Sequence, residues 1–253
     1  MAPPGIGDSV EGVHAVAAAL DAGRVERLTV ERSRVETLGP LIDRARSSGV
    51  GVDLVDDVRS LAATDAPQGV VARCRPIPVG SVDDAVAARS PAAVVVLDHL
   101  EDPRNVGAIA RTAVAAGVGG LIVARHRSAP LGATAFKAAA GAFEHIVVAE
   151  VSSVAAAVAD LRRLGVWTVG LDADGERSLF GLDLLAEPCA LVLGAEGAGL
   201  GRLVRDRVDI VVSIPLHGPV ESLNASVAAS LAVYEIARVR RANASGAPRS
   251  GGS

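Results

Sequence analysis

Short runs of unbroken apolar residues recur through the second half of the chain: AAVVVL from Ala92, GLIVA from Gly120, IVVA from Ile146, CALVL from Cys189 and IVV from Ile210. A strand that is apolar on both faces has no side to offer to water, so each face must be covered. Between these runs lie stretches with helical spacing, at 105–116, around 131–140, at 152–164 and after Asn224. Strands that return after each helix predict a mainly parallel sheet with helices on both faces, an α/β fold. In such a sheet ligands settle beyond the C-terminal ends of the strands. Aromatic residues make up only 2% of the chain against 50% apolar residues in all, so Val, Ala, Leu and Ile must build the core.

The first third carries a shorter version of the same alternation. SVEGVHAVAAALDAG predicts a helix capped by Ser9 and stopped at Gly23, with Val10, Val13, Val16 and Leu20 along one face. RLTVE, GVDLV and GVVARC read as strands, LGPLIDRARSSG and DDVRSLAAT as helices. Together they predict a small α/β domain over residues 9–76. The Pro-, Ser- and Asp-rich stretch 77–91 is expected to be a linker with room for a short helix. The larger domain is expected at 92–241. Residues 1–8 are expected to be loose, and the tail 242–253, which lacks apolar content, to be disordered.

The formal net charge is -4, and the acidic excess is shared evenly: residues 1–80 carry 9 arginines against 11 acids, the remainder 16 basic against 18 acidic residues. That balance argues mildly against a nucleic-acid partner and leaves room for a local basic patch. Lys137 is the only lysine; every other cation is Arg, the better fork for phosphate. Cys74 and Cys189 stand far apart without metal-ligand spacing and read as packed thiols of a reducing compartment. The five histidines form no metal set. No apolar run approaches the ~20 residues of a membrane span. The start, MAPPGIGDSVEG, lacks the basic and apolar segments of a secretory signal, so a cytoplasmic location is expected.

Three segments carry candidate chemistry. LDHLEDPRNVGAIART places Asn105, Gly107 and Arg111 in the turn and first helix after a buried strand. An Arg on a helix otherwise built from Ala, Val and Ile either pairs with Glu101 or Asp102 or meets an anion. LVLGAEGAGLG is a buried strand that breaks into glycines around Glu196. Glycines let a backbone approach a ligand closely, and the absence of a following Lys-Ser or Lys-Thr argues against a nucleoside-triphosphate loop. The glycines of AAGVGGLIV follow a helix and precede a strand, the wrong order for a dinucleotide fingerprint. In IPLHGPVESLNASVAASLAVYEIAR, Pro215 closes a strand, and Glu221, Ser222 and Asn224 stand before a long helix of small residues. Ser222 and Asn224 are either caps of that helix or groups that face a ligand.

In their order and spacing these segments resemble the three motifs of the SpoU (TrmH-like) RNA ribose 2′-O-methyltransferases of the SPOUT class. The front block, through EGVHAVAAAL and DAPQGVVARC, resembles the L30e-like substrate-binding domain of members that act on guanosine in 23S ribosomal RNA, so the likeness covers about residues 9–241. It implies a SPOUT α/β domain with a C-terminal trefoil knot, a homodimer formed through the final helix, S-adenosylmethionine as methyl donor and no metal. It implies that backbone groups near Gly194, Ile214 and Leu223 receive the cofactor. Arg111 is the implied catalytic residue, with Asn105, Glu196, Ser222 and Asn224 organising it or the substrate. A guanidinium does not readily give up a proton, which suits Arg111 better to holding phosphate and hydroxyl than to acting as a base. The implied substrate is a guanosine of 23S ribosomal RNA. A transfer RNA or antibiotic-resistance methyltransferase of the same family, and a non-catalytic RNA-binding protein on this fold, are the alternatives. Leu216, His217 and Ala225 depart from the common pattern without touching a polar role.

Overall fold

The computed structural model of the chain describes residues 5–195, 197 and 199–245. In chain order the elements are β1 (Ser9–Glu11), α1 (Val13–Asp21), β2 (Val25–Glu31), α2 (Gly39–Ser47), β3 (Gly51–Val55), β4 (Val70–Cys74), α3 (Val82–Ala87), β5 (Ala93–Leu97), α4 (Pro103–Ala115), β6 (Gly120–Ala124), α5 (Ala133–Ala139), β7 (Val147–Val151), α6 (Val154–Arg163), β8 (Trp167–Leu171), β9 (Arg177–Ser178), β10 (Cys189–Leu193), α7 (Arg202–Arg205), β11 (Ile210–Ser213) and α8 (Ala225–Ala244). Contacts divide the chain into two compact units. One takes the chain up to Val79 together with Glu101–Arg111 and Ala129–Ile146; the other takes Gly80–Leu100, Thr112–Ser128 and everything from Val147. A division into contiguous domains at 9–76 and 92–241 stays a proposal about what can fold alone.

The first unit holds a four-stranded sheet in the order β1-β4-β2-β3, with β2 and β3 parallel and the other pairs antiparallel. Ser9 does not cap a helix: Ser9–Glu11 pair with β4, and Gly12, at φ +88°, turns the chain into α1. The helical spacing of Val10 with Val13 is a coincidence, because Val10 points into the core from a strand. Glu11 is fully buried, and its carboxylate accepts the N–H groups of Ala63 (2.7 Å) and Thr64 (3.2 Å), which secures a long loop. Residues 1–4 of the start expected to be loose lie outside the described residues, and the part from Gly5 is not loose. Ile6 exchanges two backbone hydrogen bonds with Ile77, at 2.9 and 2.8 Å. Of the helix expected at DDVRSLAAT only one 3-10 turn forms, Arg59–Leu61.

Arg24 ties α5 and the turn after it into this unit. Its guanidinium meets Glu144 at 2.7 Å with both side chains buried, donates to the carbonyls of Gly7 and Arg75, and lies 5.7 Å from the centre of the Phe136 ring. A buried ion pair stabilises a structure only when its remaining polar atoms are also satisfied, and here they are.

The second unit holds a seven-stranded sheet, β7-β6-β5-β10-β8-β11-β9, in which every neighbouring pair is parallel. The register sets Leu193 beside both Leu97 and Leu171, so β5, β10 and β8 end at one edge. β5, β6 and β10 are buried throughout, as their unbroken apolar sequences require. Val94, Val96, Val192, Val158 and Leu161 belong to one core cluster. Part of the stretch expected as a linker is built into this unit: Gly80 bridges to Ala149, and α3 opens with a capping box between Ser81 and Asp84. α8 extends to Ala244, so residues 242–244 are helical rather than part of a disordered tail; 246–253 lie outside the described residues. Both cysteines are buried free thiols; burial pushes Cys74 up to about 11 and raises Cys189 as well.

Candidate active site

β8, β10 and β11 each end in a loop at the same edge of the large sheet, and these loops enclose a cavity of about 540 Å³. That size suits a small-molecule guest, and so does its mixed lining: apolar side chains of Leu171, Leu193, Ile214 and Leu223 stand with the carboxylates of Asp172, Asp174 and Glu221. Gly194, Ile214 and Leu223, expected from sequence to receive a cofactor, all line it, as do Ser222 and Asn224.

The turn after β10 explains its glycines. A Cβ on Gly194 would sit 1.9 Å from the carbonyl oxygen of Gly199, because the chain doubles back through an Ala195–Gly199 bridge. Gly197 and Gly199 adopt φ of +75° and +65°, the left-handed region that glycine enters at no steric cost. A Cβ on Gly199 would also meet Asp172 Oδ2 at 2.7 Å. Glu196, between these glycines, lies outside the described residues.

Two carboxylates that sequence reasoning passed over brace this turn. Asp98, only 2% exposed, follows β5; its Oδ2 accepts the N–H of Gly201 at 2.9 Å, and its own N–H donates to the Leu193 carbonyl at 2.7 Å. Its Oδ1 lies 2.7 Å from His99 Nδ1, and His99 takes a left-handed φ of +59°. Asp172 follows β8 and accepts N–H groups from Asp174 (3.1 Å) and Leu200 (3.3 Å) and the Arg205 guanidinium (3.0 Å). Burial opposes ionisation of Asp172, but the two backbone donors and Arg205 outweigh it and hold the carboxyl below its ordinary range. Asp172 and Arg205 both line the cavity. The one signal in the sequence was position: each acid directly follows a buried parallel strand, where ligands gather.

The loop after β11 is built differently. Pro215 to Ser222 are exposed, and Asn224 ends the stretch as the N-cap of α8, its Oδ1 accepting from the N–H groups of Ser226 (2.9 Å) and Val227 (3.3 Å). Asn224 therefore is a cap and also lines the cavity, whereas Ser222 lines the cavity without capping the helix.

Asn105 and Arg111 lie on α4 and belong to the first unit, whereas the described lining of the cavity comes wholly from the second. Asn105 is buried and Arg111 exposed. Neither Glu101 nor Asp102 pairs with Arg111, and among the described residues no carboxylate does. The glycine between them is required by packing: a Cβ on Gly107 would stand 2.3 Å from the carbonyl of Ala135, where α5 crosses α4. Among the described residues no group of His, Cys, Asp and Glu could hold a metal ion.

Known proteins with this sequence pattern share the fold. The profile of the SpoU rRNA Methylase family matches residues 92–234, and that of RNA 2′-O ribose methyltransferase substrate binding matches residues 9–79. An uncharacterized tRNA/rRNA methyltransferase of Mycobacterium ulcerans is 41% identical over 211 residues, 81% of this chain and 68% of its own. The 23S rRNA (guanosine-2′-O-)-methyltransferase RlmB of Ralstonia nicotianae is 36% identical over 236 residues, 90% of this chain and 94% of its own. Among solved structures, the SpoU methyltransferase AviRb of Streptomyces viridochromogenes in complex with AdoMet superposes with a TM-score of 0.77 at 28% identity, covering 92% of this chain and 90% of that one. The chain belongs to the SpoU (TrmH) family and is an S-adenosylmethionine-dependent RNA 2′-O-methyltransferase with a small N-terminal α/β domain.

Proposed function

We propose that this protein methylates the ribose 2′-oxygen of a guanosine in 23S ribosomal RNA, with the cavity at the ends of β8, β10 and β11 as its cofactor site. The observation that carries this reading is the convergence of Gly194, Ile214 and Leu223, distant in sequence, on one cavity. The likeness to the Ralstonia nicotianae RlmB over nearly the whole of both chains supports the ribosomal substrate. A transfer RNA substrate is the second reading, favoured by the tRNA/rRNA description of the Mycobacterium ulcerans relative.

The lining fits the donor. Gly194 lines the cavity at the tight turn after β10, the leucines and Ile214 offer an apolar bed, and Asp172, Asp174 and Glu221 set negative charge beside a cationic guest. S-adenosylmethionine bound there supplies an electrophilic methyl on a sulfonium. This chain's part is to hold the ribose oxygen in line with it, a positioning effect that enzymes can make worth ~7 to 11 kcal/mol. Arg111, unpaired with any described carboxylate, grips the phosphate beside the target ribose and stabilises the negative charge that grows on the 2′-oxygen. Ser222 and Asn224, which line the cavity, offer hydrogen bonds to the nucleotide; Asn105 and Glu196 organise Arg111 or the substrate. The guanidinium keeps its own proton and is not the base that takes the one from the 2′-hydroxyl.

A homodimer and a C-terminal trefoil knot belong to the same reading. Val227, Leu231 and Tyr234 form an exposed stripe at helical spacing on α8, and Phe180 joins Leu231 and Tyr234 in lining a shallow apolar groove. Contiguous exposed apolar side chains of this kind call for a cover, and a second copy of α8 supplies one.

Mapping alkali-resistant ribose linkages in RNA from a strain with and without the protein tests the substrate. One linkage in 23S RNA should vanish on deletion and return when purified protein and labelled donor are added. A linkage lost from transfer RNA instead would move the assignment to the second reading. Sedimentation of the same preparation should give twice the 25.5 kDa of one chain.

A further inference from the structure

The cavity takes the ends of three strands at the ligand edge of the large sheet, and the neighbouring ends of β5 and β6 carry something the three motifs do not use. β6 ends at Ala124 and opens into Arg125, His126 and Arg127, all exposed. The surrounding chain fixes their placement. Arg125 N–H donates to the Val151 carbonyl at 2.8 Å, and Ser128 Oγ donates to the Leu100 carbonyl at 3.3 Å, which ties the loop to the chain leaving β5. Between these anchors Arg127 takes a φ of +53°, a conformation that costs a non-glycine residue free energy and that clusters at functional sites.

Most of the other described arginines of this unit are held by partners; Arg89 after α3, Arg177 in β9 and Arg241 in α8 have no ion pair, but none of them stands in the loop after β6. Arg162, Arg163, Arg205 and Arg238 lie in ion pairs with Asp209, Asp160, Asp172 and Glu235, while Arg207 and Arg240 donate to carbonyls. Arg125 and Arg127 have no carboxylate partner among the described residues. Among the described residues eleven arginines lie in ion pairs, and Arg125 and Arg127, two residues apart at the ligand edge, do not. β6 lies two strands from β10 in the sheet, which at ordinary strand spacing sets the loop about 10 Å to the side of the cavity's glycine turn. A few nucleotides of RNA chain span that distance.

We propose that Arg125 and Arg127, with the His126 imidazole between them, form a phosphate-binding site for the RNA strand that carries the target ribose. The site rests on the reading of this protein as an RNA methyltransferase and adds to it how a mildly acidic enzyme grips a polyanion. Phosphate contacts position the strand without reading its sequence, so the site sets affinity and register, and the cavity does the chemistry.

Binding of a 23S ribosomal RNA fragment, measured by fluorescence anisotropy over a series of salt concentrations, tests this. Each phosphate contact to single-stranded RNA contributes about 0.7 to the slope of log affinity against log salt, so Arg125→Ala with Arg127→Ala should lower the slope by about 1.4 and weaken binding about tenfold or more. KM for RNA should rise with kcat nearly unchanged, and S-adenosylmethionine affinity by calorimetry should not move. Lysine at both positions should restore most of the affinity. Arg125→Gln alone, which leaves the left-handed position intact, should lower the slope by about half as much. Arg163→Ala, which removes an exposed but ion-paired cation, should leave it unchanged. Equal slopes and affinities for wild type and the double variant, while wild type still methylates RNA, would overturn the phosphate site and leave the activity standing. A wild-type protein that neither binds nor methylates RNA would overturn both.

Discussion

The two walls of the cofactor cavity are made on different principles. The turn after β10 is fixed from outside by buried carboxylates, with Asp98 on the Gly201 N–H and Asp172 on the Leu200 N–H, and its glycines leave no room for a side chain at 194. The loop after β11 has no such braces among its described residues; it is exposed from Pro215 to Ser222 and is held at its ends, by the sheet at Ser213 and by the Asn224 cap. A backbone locked by charge-assisted hydrogen bonds presents its donors to a guest at little ordering cost, whereas an exposed loop loses conformational freedom when it closes. The first wall is therefore where cofactor affinity is set, and the second is where the substrate meets adaptable groups.

The sharpest way to break this contrast is Gly194→Ala. The new methyl would lie within 2.4 Å of three backbone atoms of Gly199 and Leu200, none of which can swing away as a side chain end would. Overpacking of that kind costs ~3 kcal/mol or more, so cofactor affinity should fall about 100-fold, read by calorimetry. Alanine on the exposed wall, at Gly218, meets no atom within 4 Å and should leave the titration unchanged. If the two variants behave alike, the distinction between the walls is wrong.

Asp172→Asn is the next step down. It keeps the shape and removes the charge that Arg205 and two backbone donors hold, so cofactor binding should weaken about tenfold, the worth of a charge-assisted hydrogen bond. The substitution also predicts a pH signature. The folded-state pKa of Asp172 is lowered, so its stabilisation is complete above the ordinary carboxylate range near ~4 and drains away as pH falls through the lowered value. Thermal melts should show wild type above the variant at pH 6, with the gap narrowing toward pH 3. A gap of constant width would mean that the carboxylate charge contributes nothing to the turn.

The contrast also separates what could be read from the sequence from what could not. Unbroken apolar runs at AVVVL and CALVL located β5 and β10 and made them parallel and buried, because hydrophobic period is local information. β1 was misread because three residues are too few to display an alternation, and Val10 happens to fall in step with α1. β9, two residues long, leaves no signature at all. Of the residues that line the cavity, Gly194, Ile214, Ser222, Leu223 and Asn224 were legible through motif resemblance. Asp98 and Asp172 were not, since each acts on backbone 103 or 28 residues away, and no local pattern encodes such a partner. Gly107 was legible as part of a motif but not as the contact where α5 crosses α4.

The smallest expected effect bears on the looser wall, where Asn224 both ends the loop and faces the cavity. Removing its side chain leaves the Ser226 and Val227 N–H groups without their acceptor, and a lost N-cap costs about 1 kcal/mol. For a chain of this size that is a fall of about 2–4 °C in melting temperature for Asn224→Ala. Asp caps a helix as well as Asn does, so Asn224→Asp should restore the melt. It replaces the amide donors by a second acceptor oxygen, however, and sets a negative charge where RNA phosphate approaches. If Asn224 touches the nucleotide, the Asp variant folds like wild type and stays slow in methylation. If capping is its whole role, activity returns together with stability, and the exposed wall supplies shape alone.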